Sequence, residues 1–215
     1  MQQQPPTPVE SATINQLKFS NVEVNFSEDR SIPEVYDKAV KSLIDGEDGK
    51  NSMAATAFQK YVDANGGAGN EDDQLAERYL EYRIGEEVKS GLSASLNGTN
   101  PIDIIIKIDQ VQTPNPATMF LIGEIKSIRY DLDIVDSETK DVIIDFTKPS
   151  TPFVAKSAGA GGGLLGMALR IGKNTKITDL EQLATAVSNE VRQILLGPVV
   201  NTSVLDKIRV ADKKK

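Results

Sequence analysis

The sequence predicts an α+β domain in which helices pack on one face of a largely antiparallel sheet of about four strands. Residues 101–146 read as strands with alternating apolar and polar side chains, separated by turn residues. Such alternation is typical of strands that have one covered and one solvated face. Apolar residues at helical spacing precede and follow this region, so the predicted order of elements is β-ααα-βββ-α. Helices and strands are therefore segregated along the chain, as in α+β proteins.

The first predicted strand covers residues 17–26. Apolar residues alternate along its second half, whereas Leu17 and Phe19 follow the opposite phase. A change of phase within one strand is typical of a β-bulge, which we expect near Ser20-Asn21.

Three helices are predicted next. The first begins at Ser31, because Ser31 and Glu34 have the spacing of a capping box and Pro33 falls within the first turn. The second helix is predicted over residues 52–64 and the third over residues 71–95. The third carries apolar residues at steps of four: Ala76, Leu80, Ile84, Val88, Leu92 and Leu96.

Three further strands are predicted over residues 102–111, 118–135 and 141–147. In the first of them, Ile105 makes part of the run apolar on both faces. A strand that is apolar on both faces is typical of the centre of a sheet, so we expect this strand to be central.

Residues 148–177 are predicted to be irregular and include a glycine-rich segment over 159–166. The last helix is predicted over residues 178–196. Thr178 and Glu181 form a second capping box at its start, and Gly197-Pro198 is its stop signal.

Composition limits the chemistry that the chain can perform. The 215 residues carry a net charge of −7 and include no Cys and no His. An acidic chain is poorly suited to nonspecific nucleic-acid binding, which depends on a basic surface. Without thiolate and imidazole, the usual nucleophiles, neutral-pH bases and zinc or iron–sulfur ligands are missing. We therefore predict a noncatalytic protein with no metal, no other cofactor and no nucleic-acid partner.

The predicted organisation is a single domain with two appendages. We expect a flexible Gln/Pro-rich tether over residues 1–15, a domain over 16–200 with a helical insert around 45–75, and a polar tail over 201–215. No apolar run has membrane-spanning length, and no signal peptide is recognisable. The tether would suit the start of a mature exported protein whose leader has been replaced by Met, while a cytoplasmic start stays open.

The second half of the chain resembles a family of small lipoproteins of alphaproteobacterial envelopes that has no assigned activity. The motifs that carry the resemblance are Gly123 to Ile128, Asp136 to Val142 with Thr139 between them, Gly161-Gly162-Gly163, Ile177-Thr178-Asp179 and Gly197-Pro198. More loosely, the layout is similar to periplasmic lipoprotein domains of the curli-secretion and penicillin-binding-protein-activator type. The resemblance covers residues 101–198 and implies an exported protein tethered to the outer membrane through a lipidated Cys. That Cys is missing here, and the insert around 45–75 has no counterpart in the family.

The glycine-rich segment is our candidate for partner contact. It is followed by apolar residues and a cation, which together can meet a protein or membrane surface. The candidate residues are Gly161, Gly162, Gly163, Leu164, Leu165, Gly166, Met167 and Arg170. The spacing of the glycines also matches Gly-x-Gly-x-x-Gly, but a dinucleotide site requires a preceding strand and a following helix. Because Thr151 to Val154 is a poor strand pattern and Gly172 interrupts any following helix, we favour a mobile loop.

Two other polar groups have structural interpretations that we favour. An acidic cluster along the predicted hairpin offers carboxylates for acid/base work or Ca²⁺, but its residues alternate onto the solvated face. They are Asp131, Asp133, Asp136, Glu138, Asp141 and Asp145. Tyr79 and Tyr82, with Arg78 and Arg83 nearby, could recognise a ligand, yet neighbouring glutamates favour ordinary pairing on a helix surface.

Three functions therefore stay open. The favoured one is a noncatalytic envelope lipoprotein domain that docks a protein partner or a cell-wall component near the outer membrane. The second is a binding protein for a lipid or an anionic metabolite, with the glycine-rich segment as its lid. The third is a carboxylate-based hydrolase, which would require two carboxylates in one concave pocket.

Overall fold

The computed structural model describes residues 14–45, 52–64, 74–112, 125–145, 153–158 and 175–197. These ranges contain a five-stranded sheet and four helices, which confirms the predicted α+β class. In chain order the elements are β1 (Leu17–Ser31), α1 (Val35–Ile44), α2 (Ser52–Ala64), α3 (Leu75–Leu92), β2 (Asn100–Gln112), β3 (Ile125–Asp136), β4 (Val142–Asp145), β5 (Phe153–Ala158) and α4 (Thr175–Leu196).

The sheet has the order β1-β2-β3, and both β4 and β5 pair with β3. The pairing of β1 with β2 is parallel, and the other pairings are antiparallel. A parallel neighbour requires a crossover connection, which α1, α2 and α3 provide. β5 pairs with the first half of β3 and β4 with its last residues, so β4 and β5 follow one another along the same side of β3.

The core lies between the sheet and the helices. Alternate side chains of β2 and β3 are fully buried: Ile102, Ile104, Ile106, Ile108, Ile128, Tyr130, Leu132 and Ile134. The apolar stripe predicted for α3 is buried at every position. The apolar residues of α4 that recur at helical spacing are buried as well: Leu180, Leu183, Ala184, Val187, Val191, Ile194 and Leu195. β2 lies between β1 and β3, which confirms its prediction as a central strand.

The bulge in β1 is confirmed, because the register with β2 shifts between Phe19 and Asn21. The capping box at Ser31 is wrong, since β1 continues to Ser31 and α1 begins at Val35. Glu34 occupies the N-cap of α1 and makes no side-chain capping hydrogen bond. Strand pairing with β2 holds Ser31 in extended backbone, and this long-range interaction is stronger than the local capping signal.

The prediction of an irregular segment over 148–177 is wrong for Phe153–Ala158, which forms β5. Pairing with β3 supplies the order that this short, weakly alternating sequence does not signal by itself. The start of α4 was also misplaced: the helix begins at Thr175, so Thr178 lies inside it. Its predicted end is confirmed by Gly197, whose φ of 76° is the left-handed conformation that glycine adopts at helix ends.

Candidate functional site

The eight residues predicted to contact a partner, Gly161 to Gly166 with Met167 and Arg170, lie outside the described residues. The elements that flank them in sequence are described. β5 ends at Ala158 and α4 begins at Thr175, so the site can be examined through the strand and the helix that this segment connects.

A cleft of about 610 Å³ lies between these two elements. We name it the β5–α4 groove. Its strand side consists of Val154, Ala155 and Lys156. Its helix side consists of residues that repeat every three or four positions along α4 and therefore lie on one face of the helix. They are Thr178, Glu181, Gln182, Thr185, Ala186, Asn189, Glu190 and Gln193. Most of these helix residues are uncharged and polar, so the groove offers hydrogen-bond donors and acceptors rather than a strongly apolar wall.

The strand side of the groove is a sheet edge. β5 pairs with β3 from Tyr130↔Phe153 to Ile125↔Ala158. Within the described ranges, no strand pairs with the opposite side of β5. Among the described strands, the backbone N–H and C=O groups on that side of β5 thus have no partner, as at the edge of a sheet.

One end of the groove is closed by an ion-pair network that joins α4 to α3. The Glu181 carboxylate accepts hydrogen bonds from Arg83 Nε at 2.8 and 2.9 Å and from the Tyr79 hydroxyl at 2.5 Å. Arg83 Nη2 lies 2.7 Å from Glu181 Oε2 and 3.0 Å from Glu87 Oε1. Burial and the Glu181 carboxylate raise the pKa of Tyr79, which keeps its hydroxyl a donor. Glu181 is therefore neutralised and oriented by the protein itself.

A buried ion pair strengthens the same end. Lys126 of β3 contacts Asp179 of α4, and the two side chains are 2% and 6% exposed. The Lys126 ammonium also donates to Gln182 Oε1 at 3.3 Å. Lys126 lies on the inward face of β3 together with Ile128 and Tyr130. Its ammonium group is therefore under α4, where the contact with Asp179 holds the first turns of that helix against the sheet.

The other end of the groove has a different carboxylate. Glu190 is half-buried, and its Oε2 accepts a hydrogen bond from the hydroxyl of Tyr130 at 3.1 Å. Burial raises the pKa of Glu190, and the hydrogen bond from Tyr130 opposes that rise. Tyr130 is fully buried and stacks on Phe153 of β5, with ring centroids 5.6 Å apart. Within the described part of the chain, no cation forms an ion pair with Glu190.

Two carboxylates thus line one cleft, but their separation does not suit acid/base catalysis. Nine residues at a rise of about 1.5 Å place Glu181 and Glu190 about 13.5 Å apart along the helix axis. At about 100° per residue they project from opposite flanks of the helix. The carboxylate pairs of glycosidases are about 5 to 9.5 Å apart. The arrangement therefore favours binding over hydrolysis by a carboxylate pair.

Asp131 and Asp133 of the hairpin alternate with the buried Leu132 and Ile134 of β3, so they lie on the sheet face opposite the core. Glu138 and Asp141 are exposed in or beside the turn between β3 and β4. Burial, with repulsion from Asp109 and Asp133, raises the pKa of Asp131. Asp136 instead has a lowered pKa, because the backbone N–H groups of Thr139 and Glu138 donate to it. Among the residues that the structure describes, no group of three or more acidic side chains is arranged to hold a metal ion.

The aromatic and basic side chains of α3 divide between the core and the surface: Tyr82 and Arg83 are half-exposed, with the Arg83 guanidinium 5.9 Å from the centre of the Tyr82 ring, whereas Tyr79 is buried. Tyr79 is 1% exposed and packs edge-on against Phe58 of α2. The predicted pairing on the helix surface is confirmed for Arg83 and Glu87. It was incomplete, because Arg83 also reaches Glu181 on α4, a residue 98 positions away in sequence.

Sequence reasoning missed the β5 edge and Glu190. One available signal was the row of uncharged polar side chains at helical spacing on α4: Thr178, Gln182, Thr185, Asn189 and Gln193. An exposed helix face ordinarily carries charged residues, so an uncharged polar stripe marks a face with a different role.

Comparison with known proteins gives partial matches. No protein-family profile matches the sequence. The chain is 28% identical over 138 residues to GTPase Obg of Anoxybacillus flavithermus, which covers 57% of this chain and 28% of that protein. It is 26% identical over 138 residues to GTPase Obg of Geobacillus kaustophilus, with 57% and 27% covered. The chain thus spans little more than a quarter of the length of these curated relatives.

Two solved structures superpose weakly on the chain. A candidate lipoprotein of Caulobacter crescentus superposes with a TM-score of 0.33 at 9% identity, covering 63% of this chain and 85% of that one. A hypothetical protein of Chlamydia trachomatis superposes with a TM-score of 0.32 at 11% identity, covering 83% and 93%. TM-scores at this level do not establish a common fold, so no function is transferred from either protein. None of the described helices is long and apolar enough to cross a membrane.

Proposed function

We propose that this chain is a noncatalytic docking domain of the bacterial cell envelope that binds an extended segment of a partner protein. The segment adds to the outer edge of β5, and its side chains lie in the β5–α4 groove. The observation that carries the proposal is an edge of β5 with which no described strand pairs, directly beside a helix face made largely of uncharged polar residues. Strand addition beside a groove is a recurring mode of peptide recognition, in which main-chain hydrogen bonds provide affinity and side-chain pockets provide specificity.

The dimensions of the site support this mode. β5 has six residues, which span about 20 Å at a rise of about 3.4 Å per residue, so the edge accommodates a segment of similar length. Amide and hydroxyl side chains can both donate and accept hydrogen bonds. Gln182, Thr185, Asn189 and Gln193 therefore suit a polar polypeptide surface better than a lipid tail.

The envelope location is supported by the sequence resemblance to envelope lipoproteins. Residues 1–15 have the composition of a flexible tether, which would give a docking domain reach from a membrane anchor. The glycine-rich residues Gly161 to Gly166 connect the strand and the helix of the groove, and their contact with the partner remains part of the proposal.

A small-ligand binding protein is the second candidate, because a cleft of about 610 Å³ falls within the usual range of ligand sites, about 300 to 1,000 Å³. The helix side of the groove disfavours the lipids and anionic metabolites expected from sequence, since most of its residues are polar and two of them are glutamates. A neutral polar molecule fits it better. A thermal-shift series with sugars and nucleosides tests this candidate, because a ligand that binds the folded state raises the melting temperature.

GTP hydrolysis, which the name of GTPase Obg states for that protein, is not part of the proposal. It requires a Gly-x-x-x-x-Gly-Lys-Ser/Thr loop to hold the phosphates, and the 215 residues contain no such sequence.

Selection of phage-displayed random peptides on the full chain tests the docking function. Peptides of about twelve residues are long enough to include a strand of the length of β5 and its flanks. We expect enriched peptides whose binding slows amide hydrogen exchange in Phe153–Ala158. We also expect binding to be lost in Thr185→Arg, which places a long side chain in the groove.

The matched control is Ser90→Arg, an exposed position on α3 that does not line the groove and receives the same side chain. This variant should bind the selected peptides as the unmodified chain does. A selection that enriches no peptide, or peptides that bind Thr185→Arg unchanged, would overturn the proposed docking function.

A further inference from the structure

We infer that the β5–α4 groove selects segments that carry a lysine or an arginine, and that Glu190 is the residue that receives this side chain. The inference rests on the proposed docking function and adds the chemistry of the partner. It assigns to Glu190 a specificity-determining contact with the bound segment.

The Glu190 carboxylate lies in an environment that favours a cationic ligand group. Glu190 is half-buried at the groove wall, and its described hydrogen bond uses Oε2. Among the described residues, no donor is bonded to Oε1 of Glu190, so this oxygen keeps its capacity to accept a hydrogen bond from a bound segment. A carboxylate that is partly withdrawn from water without a cation carries a desolvation cost, which a cationic ligand group offsets.

Glu181 lines the same groove in a different environment. Arg83 and Tyr79 already donate to both oxygens of Glu181, so an incoming cation would have to displace an intramolecular one. Glu190 has no such competitor within the described chain. The electrostatic preference of the groove for a basic side chain is therefore concentrated at Glu190.

Lys156 is the cation on the strand side of the groove. Neighbouring residues of a strand point to opposite faces, and Ala155 faces the buried side under α4. Lys156 therefore points to the opposite, exposed face and does not neutralise Glu190. The hydroxyl of Tyr130 fixes the orientation of the carboxylate, so the fold presents a positioned acceptor before any segment binds.

The experiment uses the peptides enriched on the full chain. We expect them to contain a recurrent Lys or Arg, and replacing that residue by Gln should weaken binding about tenfold, as expected for a charge-assisted hydrogen bond. In Glu190→Gln the same peptide substitution should change the dissociation constant less than twofold, about the scatter of such measurements. The variant keeps an oxygen that accepts the Tyr130 hydroxyl, so the fold is preserved.

The matched control is Glu86→Gln, which removes the same charge from an exposed position of α3 outside the groove. This variant should retain the preference for the basic residue. Peptides that bind the β5 edge without a basic residue, or a preference that persists in Glu190→Gln, would overturn this inference and leave the docking function standing. A selection that enriches nothing would overturn the docking function itself.

Discussion

The two ends of the β5–α4 groove both carry carboxylates of α4, but these carboxylates differ in their hydrogen-bond and ion-pair partners. At the first end, Asp179 and Glu181 have protein cations, Lys126 and Arg83, as partners. At the second end, Glu190 has the neutral hydroxyl of Tyr130. A carboxylate paired with a cation inside the molecule holds the helix to the rest of the fold, whereas a half-buried carboxylate beside which the described chain places no cation carries a desolvation cost. The first end of α4 is therefore an anchor, and the second end carries the contact that we propose for a bound segment.

The largest expected effect comes from breaking the anchor at Lys126. Lys126→Met should lower the free energy of unfolding by about 3–5 kcal/mol, because it leaves the buried Asp179 without its cation. Urea unfolding followed by circular dichroism measures the change. The double variant Lys126→Met with Asp179→Leu should recover much of the loss, because it removes both buried charges. A single variant as stable as the parent chain would show that the pair does not anchor α4.

A smaller loss is expected at Arg83. Arg83→Met leaves Glu181 with the Tyr79 hydrogen bond and without a cation, and should cost about 1–2 kcal/mol. The loss is smaller than that of a fully buried pair, because the Glu181 side chain is 33% exposed and water partly screens its charge. The exposed Lys89→Met on the same helix is the control and should be nearly neutral. Equal urea midpoints for the two variants would contradict the assignment.

Glu190→Gln should instead raise the free energy of unfolding at neutral pH, by up to about 1 kcal/mol after allowance for solvent screening. Burial raises the folded-state pKa of Glu190, so its ionised form opposes folding once the pH exceeds that pKa. The advantage of the variant should shrink as the pH falls through the folded pKa, and vanish below the unfolded value, where the carboxyl is neutral in both states. Urea titrations at several pH values measure it, and a destabilised variant at neutral pH would refute the comparison.

The smallest effect is expected at Lys156. Lys156→Gln should change the free energy of unfolding by less than about 0.5 kcal/mol, because the side chain is exposed and points away from Glu190. A larger loss that disappears in the Glu190→Gln background would mean that Lys156 neutralises Glu190. Such coupling in a double-mutant cycle would remove the contrast between the two ends.

The local sequence pattern correctly predicted those parts of the fold in which buried residues recur at regular helical or strand spacing. The steps of four in α3 and the two-faced apolar run around Ile105 predicted a buried helix and a central strand correctly. β5 was not predicted, because Phe153 to Ala158 has little alternation of apolar and polar residues and follows a proline. Its strand conformation depends on pairing with β3. Long-range pairing of this kind leaves no trace in a short window of sequence.

The candidate site was less predictable for a related reason. Glu181 has the spacing of a capping residue, but its contacts are made across the helix interface with Arg83 and Tyr79. Glu190 was not singled out from sequence, because its lack of a cation among the described residues is a property of the assembled structure. The prediction that Gly161 to Gly166 contact a partner stays a prediction, because those residues lie outside the described ranges.

The division of one side of β3 between β5 and β4 limits how far an added strand can extend. β5 ends at Phe153, so a segment that pairs along β5 loses its hydrogen-bond partners there. β4 lies farther along β3 and has only four residues. Long, flat edges invite identical chains to stack into fibrils, and short interrupted edges discourage such growth. An edge of this kind suits the single short segment that we propose better than it suits the stacking of many identical chains.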